Sequence, residues 1–179
     1  MTRFDPVGIT IRQKKNQIVF VPAPGGVIQK NGVIFFSNKT SLRIDITLAG
    51  VALISIGPKA QSNGLVVVKS GPQDLNSSNQ AAVAYSLQVS DQFTLIQPPA
   101  GGPGATFLSL QLSAGNWMLW QNNDSQAHQP TPDPGTTWSL NPASIASFSW
   151  SQMIQFPTAG TFPYHCAAHP QEKGTIVVS

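Results

Sequence analysis

Apolar and polar side chains alternate along this chain in many short runs. In Leu42-Arg43-Ile44-Asp45-Ile46-Thr47-Leu48 every second residue is apolar, the period that turns one face of a strand to a core and the other to water. Comparable β-branched and aromatic runs predict strands over Ile18–Pro22, Val33–Asn38, Leu42–Leu48, Ala52–Ile56, Leu65–Ser70 and Ala81–Val89. A second set covers Phe93–Gln97, Leu108–Leu112, Trp117–Asn122, Ser147–Phe156, Thr161–Cys166 and Gly174–Val178. Turn formers fall between them, at Pro24-Gly25-Gly26, Asn31-Gly32, Gly57-Pro58, Gly71-Pro72, Gly101-Gly102-Pro103-Gly104 and Pro132-Asp133-Pro134-Gly135. With 15 Gly and 15 Pro, long helices are not expected. The fold class expected from this spacing is all-β, a sandwich or a barrel.

The pattern repeats weakly. Gly32-Val33-Ile34-Phe35-Phe36-Ser37-Asn38 resembles Gly115-Asn116-Trp117-Met118-Leu119-Trp120-Gln121-Asn122, and Ala82-Val83-Ala84-Tyr85-Ser86 echoes Thr161-Phe162-Pro163-Tyr164-His165. An offset of roughly 80 residues predicts two tandem sandwiches, 1–90 and 91–179. One larger sandwich drawing strands from both halves is the alternative.

Composition narrows the chemistry. The 179 residues carry one Cys and three His. A disulfide framework and a cysteine-rich zinc or iron–sulfur site are both excluded. Residues 1–90 hold nine Lys and Arg against three acids, and residues 91–179 hold one base against four acids. The bases are scattered without interleaved aromatics, so a solvated surface is expected and nucleic-acid binding is not. No apolar run reaches the length of a transmembrane span, and Met1-Thr2-Arg3-Phe4-Asp5 has no apolar core of an export signal. All four Trp, 117, 120, 138 and 150, lie in the second half and read as core.

The metal-binding side chains gather there too. His128 follows the strand run Trp117–Asn122, and Cys166 and His169 stand in Tyr164-His165-Cys166-Ala167-Ala168-His169-Pro170-Gln171-Glu172-Lys173-Gly174. Two imidazoles and one thiolate are the equatorial set of a type 1 copper site. A Cys-x-x-His spacing at a strand end lets one short loop bring two of them to one metal. These residues, with Lys173-Gly174-Thr175-Ile176-Val177-Val178 behind them, resemble the closing ligand loop of the cupredoxins, the blue copper proteins, and of their amicyanin- and plastocyanin-like members above all. Trp120-x-Asn122-Asn123-Asp124-x-x-x-His128 resembles the strand and loop that carry their first His. The resemblance covers residues 91–179 and implies an all-β fold, a Greek-key β-sandwich. It reaches residues 1–90 only as a copper-free duplicate, with Ile44 near the place of His128.

The resemblance implies one copper per chain, held by His128, Cys166 and His169. In the amicyanin-type loop an axial Met stands three residues after the second His, and here that position is Glu172, the only Glu in the chain. Gln171 beside it is the other axial candidate. A carboxylate is harder and more donating than a thioether, so it favours Cu(II), lowers the potential and moves the colour from plain blue. Gln129 stands where many members have Asn, although its backbone N–H remains able to donate to the thiolate. His165 faces away from Cys166 along the strand, and with three His a second copper centre within one chain is excluded.

The expected function is one-electron transfer rather than enzymatic turnover. A redox partner is expected to dock at the His169 edge, amid Ala127, Pro130, Ala168 and Pro170. A catalytic or small-molecule-sensing copper site and an interaction or copper-storage module are the alternatives. The resemblance implies an extracytoplasmic location, periplasmic or secreted.

Overall fold

Burial with a period of two shapes the long strands. In Val7–Lys14 the side chains of Ile9 and Ile11 are buried while Gly8 and Arg12 face solvent. The computed structural model describes residues 6–23, 27–98 and 104–179. The turns expected at Pro24-Gly25-Gly26 and at Gly101-Gly102-Pro103 lie outside the described residues, as do Met1–Asp5. The chain divides into two compact units, Met1–Val89 and Ser90–Ser179. Among the described residues there is no helix.

The first unit contains β1 (Val7–Lys14), β2 (Gln17–Pro22), β3 (Ile28–Gln29), β4 (Val33–Asn38) and β5 (Ile44–Leu48). It continues with β6 (Val51–Ile56), β7 (Leu65–Val66), β8 (Gly71–Ser77), β9 (Ala82–Val83) and β10 (Tyr85–Ser90). One sheet runs β7-β4-β1-β2-β9 and the other β3-β10-β8-β5-β6. Ile9, Ile11, Phe20, Ile34 and Phe36 of the first sheet share one buried cluster with Ile44, Ile46, Leu75, Leu87 and Val89 of the second. The unit is therefore a β-sandwich.

The second unit contains β11 (Gln92–Gln97), β12 (Thr106–Phe107), β13 (Leu110–Leu112) and β14 (Trp117–Asn122). After these come β15 (Pro130–Pro132), β16 (Ile154–Gln155), β17 (Gly160–Cys166) and β18 (His169–Val178). Its sheets run β12-β11-β14-β16 and β13-β18-β17-β15. Trp120 is fully buried between them, stacked on Trp138 at 5.1 Å and edge-on to Tyr164 at 5.6 Å. Trp120 is core, as expected, and Trp138 packs against that core half-buried, while Trp117 and Trp150 are also half-buried.

Several expectations need correction. β1, β3, β8, β12 and β15 are strands outside the expected set, although Val7, Ile9 and Ile11 of β1 carry the period-two signal openly. β8 hides because Gly71-Pro72 reads as a turn and only Leu75 is a large apolar residue on its buried face. Leu65–Ser70 shortens to the two residues of β7. Ala81–Val89 splits at Ala84 into β9 and β10, which join different sheets. Ser147–Phe156 is a strand only at β16: Phe148 takes a left-handed backbone (φ 52°), and the serines interrupt a regular ladder. Ser151 Oγ accepts from Trp120 N–H, and Asn122 N–H donates to Ser149 O.

The two units are built on corresponding registers. β1 pairs with β4 in parallel and β11 with β14 in parallel, setting Ile11 opposite Asn38 and Ile96 opposite Asn122. Asn38 Nδ2 donates to Leu42 O (2.8 Å), Ile56 O (3.3 Å) and Gly57 O (2.8 Å). Asn122 Nδ2 donates to Gln126 O (2.7 Å), Ile145 O (3.3 Å) and Ala146 O (2.9 Å). The Oδ1 atoms accept from Thr40 N–H and Asp124 N–H, both at 2.9 Å. The first sequence echo is thus a structural one. The second is misaligned: β5 with β8 and β15 with β17 set Leu75, not Tyr85, in the register place of Tyr164.

Tyr164 closes the core against Gly174 across β17 and β18, where a Cβ would fall 2.5 Å from the phenol Cζ. Its hydroxyl finds no hydrogen-bond partner, and burial pushes the phenol up to about 12, with the nearby Trp120 indole offsetting a little. A folded-state value above the unfolded value near 10 means the contribution is whole below pH 10 and is lost as pH rises through 12. Across that window wild type is expected to lose about 2–3 kcal/mol more than Tyr164→Phe. Urea denaturation at pH 9, 11 and 12 measures the difference, and equal losses in both proteins would refute the assignment.

Candidate metal centre

Three elements converge on one point in the second unit. Asn122, at the end of β14, gathers the turn 123–127 with its amide, and the chain then delivers His128. His128 N–H donates to Ile145 O (3.0 Å) and Ile145 N–H to His128 O (2.8 Å), so the ligand's backbone is held from both sides. Cys166 ends β17, and His169 starts β18 after the turn at Ala167-Ala168. A register shift between His165 and Cys166 lets Cys166 pair with His169.

The ligand atoms of His128, Cys166, His169 and Glu172 all lie within 4.8 Å of one another. Cys166 Sγ is 3.8 Å from His128 Nδ1 and 3.6 Å from His169 Nδ1. Metal bonds of about 2.0–2.1 Å to nitrogen and about 2.3 Å to sulfur, opened to between tetrahedral and trigonal angles, separate N and S by about 3.5–3.8 Å. The donor set therefore fits a first-row metal ion. Cys166 and His128 are buried, Glu172 is 4% exposed, and the His169 side chain is 30% exposed. Only the second imidazole presents an appreciable edge to solvent.

Glu172 is turned inward by a defined contact. Its Oε1 accepts from Ala105 N–H at 2.6 Å. Its Oε2 lies 3.0 Å from His128 Nδ1 and 3.5 Å from His169 Nδ1. Gln171 is exposed. Gly104 makes the contact possible: its φ is +92°, and a Cβ would stand 3.3 Å from Glu172 Oε1.

The surroundings of the ligands are equally specific. Gln129 N–H donates to Cys166 Sγ (3.3 Å), an interaction that stabilises a thiolate. Asp124 Oδ2 accepts from His128 Nε2 at 3.0 Å, and its Oδ1 accepts from Ser125 N–H at 2.6 Å. Burial works to raise the Asp124 carboxyl, but the His128 and Ser125 hydrogen bonds outweigh it and hold the group below the ordinary carboxylate range. The sequence motif contained Asp124 without revealing this role; its spacing of four before His128 was the available signal. His165 points away from the cluster and lies 2.5 Å from Asp133 Oδ1. Around His169, Ala127, Ala168 and Pro170 are exposed, whereas Pro130 is buried in β15 and does not belong to that surface.

The first unit lacks this chemistry at matching registers. Ile44 pairs with Ile56 as His128 pairs with Ile145. β5 and β8 set Ile46 opposite Ser77 as β15 and β17 set Pro130 opposite Cys166. Ser78 N–H donates to Asp45 O (3.0 Å) as Ala167 N–H donates to Gln129 O (2.9 Å). The N–H that meets sulfur in the second unit meets Asn79 Oδ1 in the first, at 2.9 Å. Counting on from Ser77, Gln80 and Val83 take the sequence places of His169 and Glu172.

No family model and no curated protein matches this sequence. Among solved structures, a purple cupredoxin from Nitrosopumilus maritimus is 22% identical, over 50% of this chain and 100% of its own, with a TM-score of 0.42. Amicyanin from Paracoccus versutus is 18% identical over 48% of this chain and 79% of its own, with a TM-score of 0.38. A methionine-to-alanine mutant of amicyanin in its Cu(I) form is 22% identical over 48% of this chain and 80% of its own, with a TM-score of 0.37.

Gly104→Ala is expected to destabilise the second unit by about 1–2 kcal/mol, since it pairs a left-handed backbone with crowding of Glu172. Thermal denaturation of the metal-free protein measures it. An unchanged melting temperature would show that the 104–105 segment does not hold the carboxylate.

Proposed function

We propose that the chain is a cupredoxin-type mononuclear copper protein that carries single electrons. The observation that carries this reading is the buried meeting of one sulfur, two imidazole nitrogens and one carboxylate oxygen within 4.8 Å. Copper, one per chain, supplies one-electron exchange between Cu(II) and Cu(I) when bound. His128, Cys166 and His169 would hold it as the equatorial set, and Glu172 Oε2 would be the axial donor. Low exposure of three of the four ligands keeps water out and limits reorganisation. The exposed edge of His169, together with the exposed Ala127, Ala168 and Pro170, is the proposed docking point for a redox partner protein. A small uncharged surface suits brief encounters.

Residues 1–90 are proposed to be a degenerate, copper-free copy of the same fold, in which Ile44 and Ser77 take the register places of the first His and the Cys. An extracytoplasmic location belongs to the same reading. Among the described residues, no helix is long and apolar enough to cross a membrane.

Copper titration is expected to give a thiolate-to-copper visible band that saturates at one equivalent and is lost in Cys166→Ser. A colourless copper-loaded protein would overturn the reading. Glu172 is harder and more donating than a thioether, so Glu172→Met is expected to raise the reduction potential and shift the band toward blue. The rise is about 59 mV for each tenfold by which the carboxylate favours the oxidised ion. Voltammetry tests this, and an unchanged potential and spectrum would exclude Glu172 as the axial donor.

A further inference from the structure

We infer that Asp124 is the positioning residue of the candidate copper centre: its carboxylate fixes the tautomer and orientation of His128 and makes that imidazole a stronger donor. The inference rests on the copper reading above but concerns a residue outside the ligand set.

The geometry on each side of His128 differs in kind. Nδ1 is the nitrogen turned toward Cys166 Sγ and Glu172 Oε2. Nε2 faces Asp124 Oδ2 at 3.0 Å. An ionised carboxylate can only accept, and each ring nitrogen faces one at 3.0 Å; with a metal bound between Nδ1, Cys166 and Glu172, the imidazole's one hydrogen belongs on Nε2, where Asp124 accepts it. The His128 side chain is 1% exposed and that of Asp124 13%, so little water competes for the bond. Asp124 is itself fixed. Its N–H donates to Asn122 Oδ1, its C=O accepts from Phe148 N–H (3.3 Å), and Oδ1 accepts from Ser125 N–H. Both carboxylate oxygens are thus assigned, one to the turn and one to the imidazole. A carboxylate hydrogen-bonded to a ligand imidazole raises its basicity.

An ordinary turn-forming role for Asp124 is weighed against this by the first unit. The same turn is built there around Asn38, with the same amide donors, the same i+2 acceptor geometry and lengths within about 0.1 Å. Its residue in the place of Asp124 is Thr40, whose Oγ1 donates to Asn38 Oδ1 (2.8 Å), and its residue in the place of His128 is Ile44. Where the imidazole is absent the carboxylate is absent too, while the turn persists. The turn therefore needs no Asp. What accompanies the Asp is the His.

The test is Asp124→Thr, which copies the first unit, with Asp124→Asn, which keeps an acceptor but removes the charge. Thermal denaturation of the metal-free proteins is expected to show both folding cooperatively, Asp124→Thr less stable than Asp124→Asn because the buried His128 N–H loses its acceptor, and Thr40→Asp serves as the control that changes nothing at the copper. The Cu(II) dissociation constant is expected to rise roughly 10- to 100-fold in Asp124→Thr and less in Asp124→Asn. A tenfold loss confined to the oxidised state corresponds to a potential about 59 mV higher. The electron paramagnetic resonance signal is expected to shift with it. Wild-type affinity, potential and spectrum in Asp124→Thr would overturn the inference while leaving the copper reading intact. If Asp124→Thr fails to fold, the same values in a folded Asp124→Asn overturn it. A wild-type protein without the thiolate band defeats the copper reading itself, and the inference with it.

Discussion

A single buried side-chain amide organises the candidate centre. Asn122, fully buried at the end of β14, ties three carbonyls from two segments with its Nδ2 and closes the following turn with its Oδ1. The amide atoms of Asn122 are the polar groups that burial would otherwise leave costly. Satisfying them fixes the path from Asn122 to His128, and so fixes where the first imidazole arrives. Asn38 performs the same task in the first unit. The amide is thus a feature of the fold, and the metal chemistry is set upon it.

At the corresponding registers the two units carry different side chains. Ile44 fills with hydrocarbon the place where His128 brings nitrogen. Ser77 stands in the place of Cys166, and the backbone N–H that would face its sulfur turns to Asn79. An apolar residue needs no polar partner when buried, so Thr40 is free of the duty that Asp124 performs. Buried polar networks are stable when every member is satisfied. The second unit satisfies His128 Nε2 with Asp124, Glu172 with Ala105 N–H, and Cys166 with Gln129 N–H.

The position of Glu172 shows how a chain can set one candidate donor from far away in sequence. The residue itself stands in the ligand loop, but the group that turns it inward is a backbone N–H 67 residues earlier. Gly104, with a left-handed backbone, leaves room for the carboxylate. Alternation along β18 puts Glu172 on the buried side and Gln171 on the exposed one, and Ala105 N–H then fixes the carboxylate.

Much of this was legible from residues alone. Period-two alternation marked most strands, because one buried face leaves that imprint whatever the partner strand. The spacing of Cys166 and His169 marked the ligand loop, and the scarcity of Cys and His limited the site to one. The strand β8 was not legible, since a Gly-Pro start and polar residues become strand-like only when neighbouring strands supply the ladder. The Ser147–Phe156 run erred the other way, its alternation real but its hydrogen bonds taken by side chains and an irregular backbone. Which register place in the first unit answers to Cys166 depended on strand pairing across sheets, and the local echo around Tyr85 misled. The sequence by itself determined the all-β class, the repeat of the Asn-centred strand and the donor atoms available, because these depend on local pattern and composition. The tertiary structure alone decided which oxygen of Glu172 faces inward, that Asp124 backs His128, and that Pro130 is buried. Each of those depends on hydrogen bonds or packing between segments that the chain separates and only the folded sheets bring together.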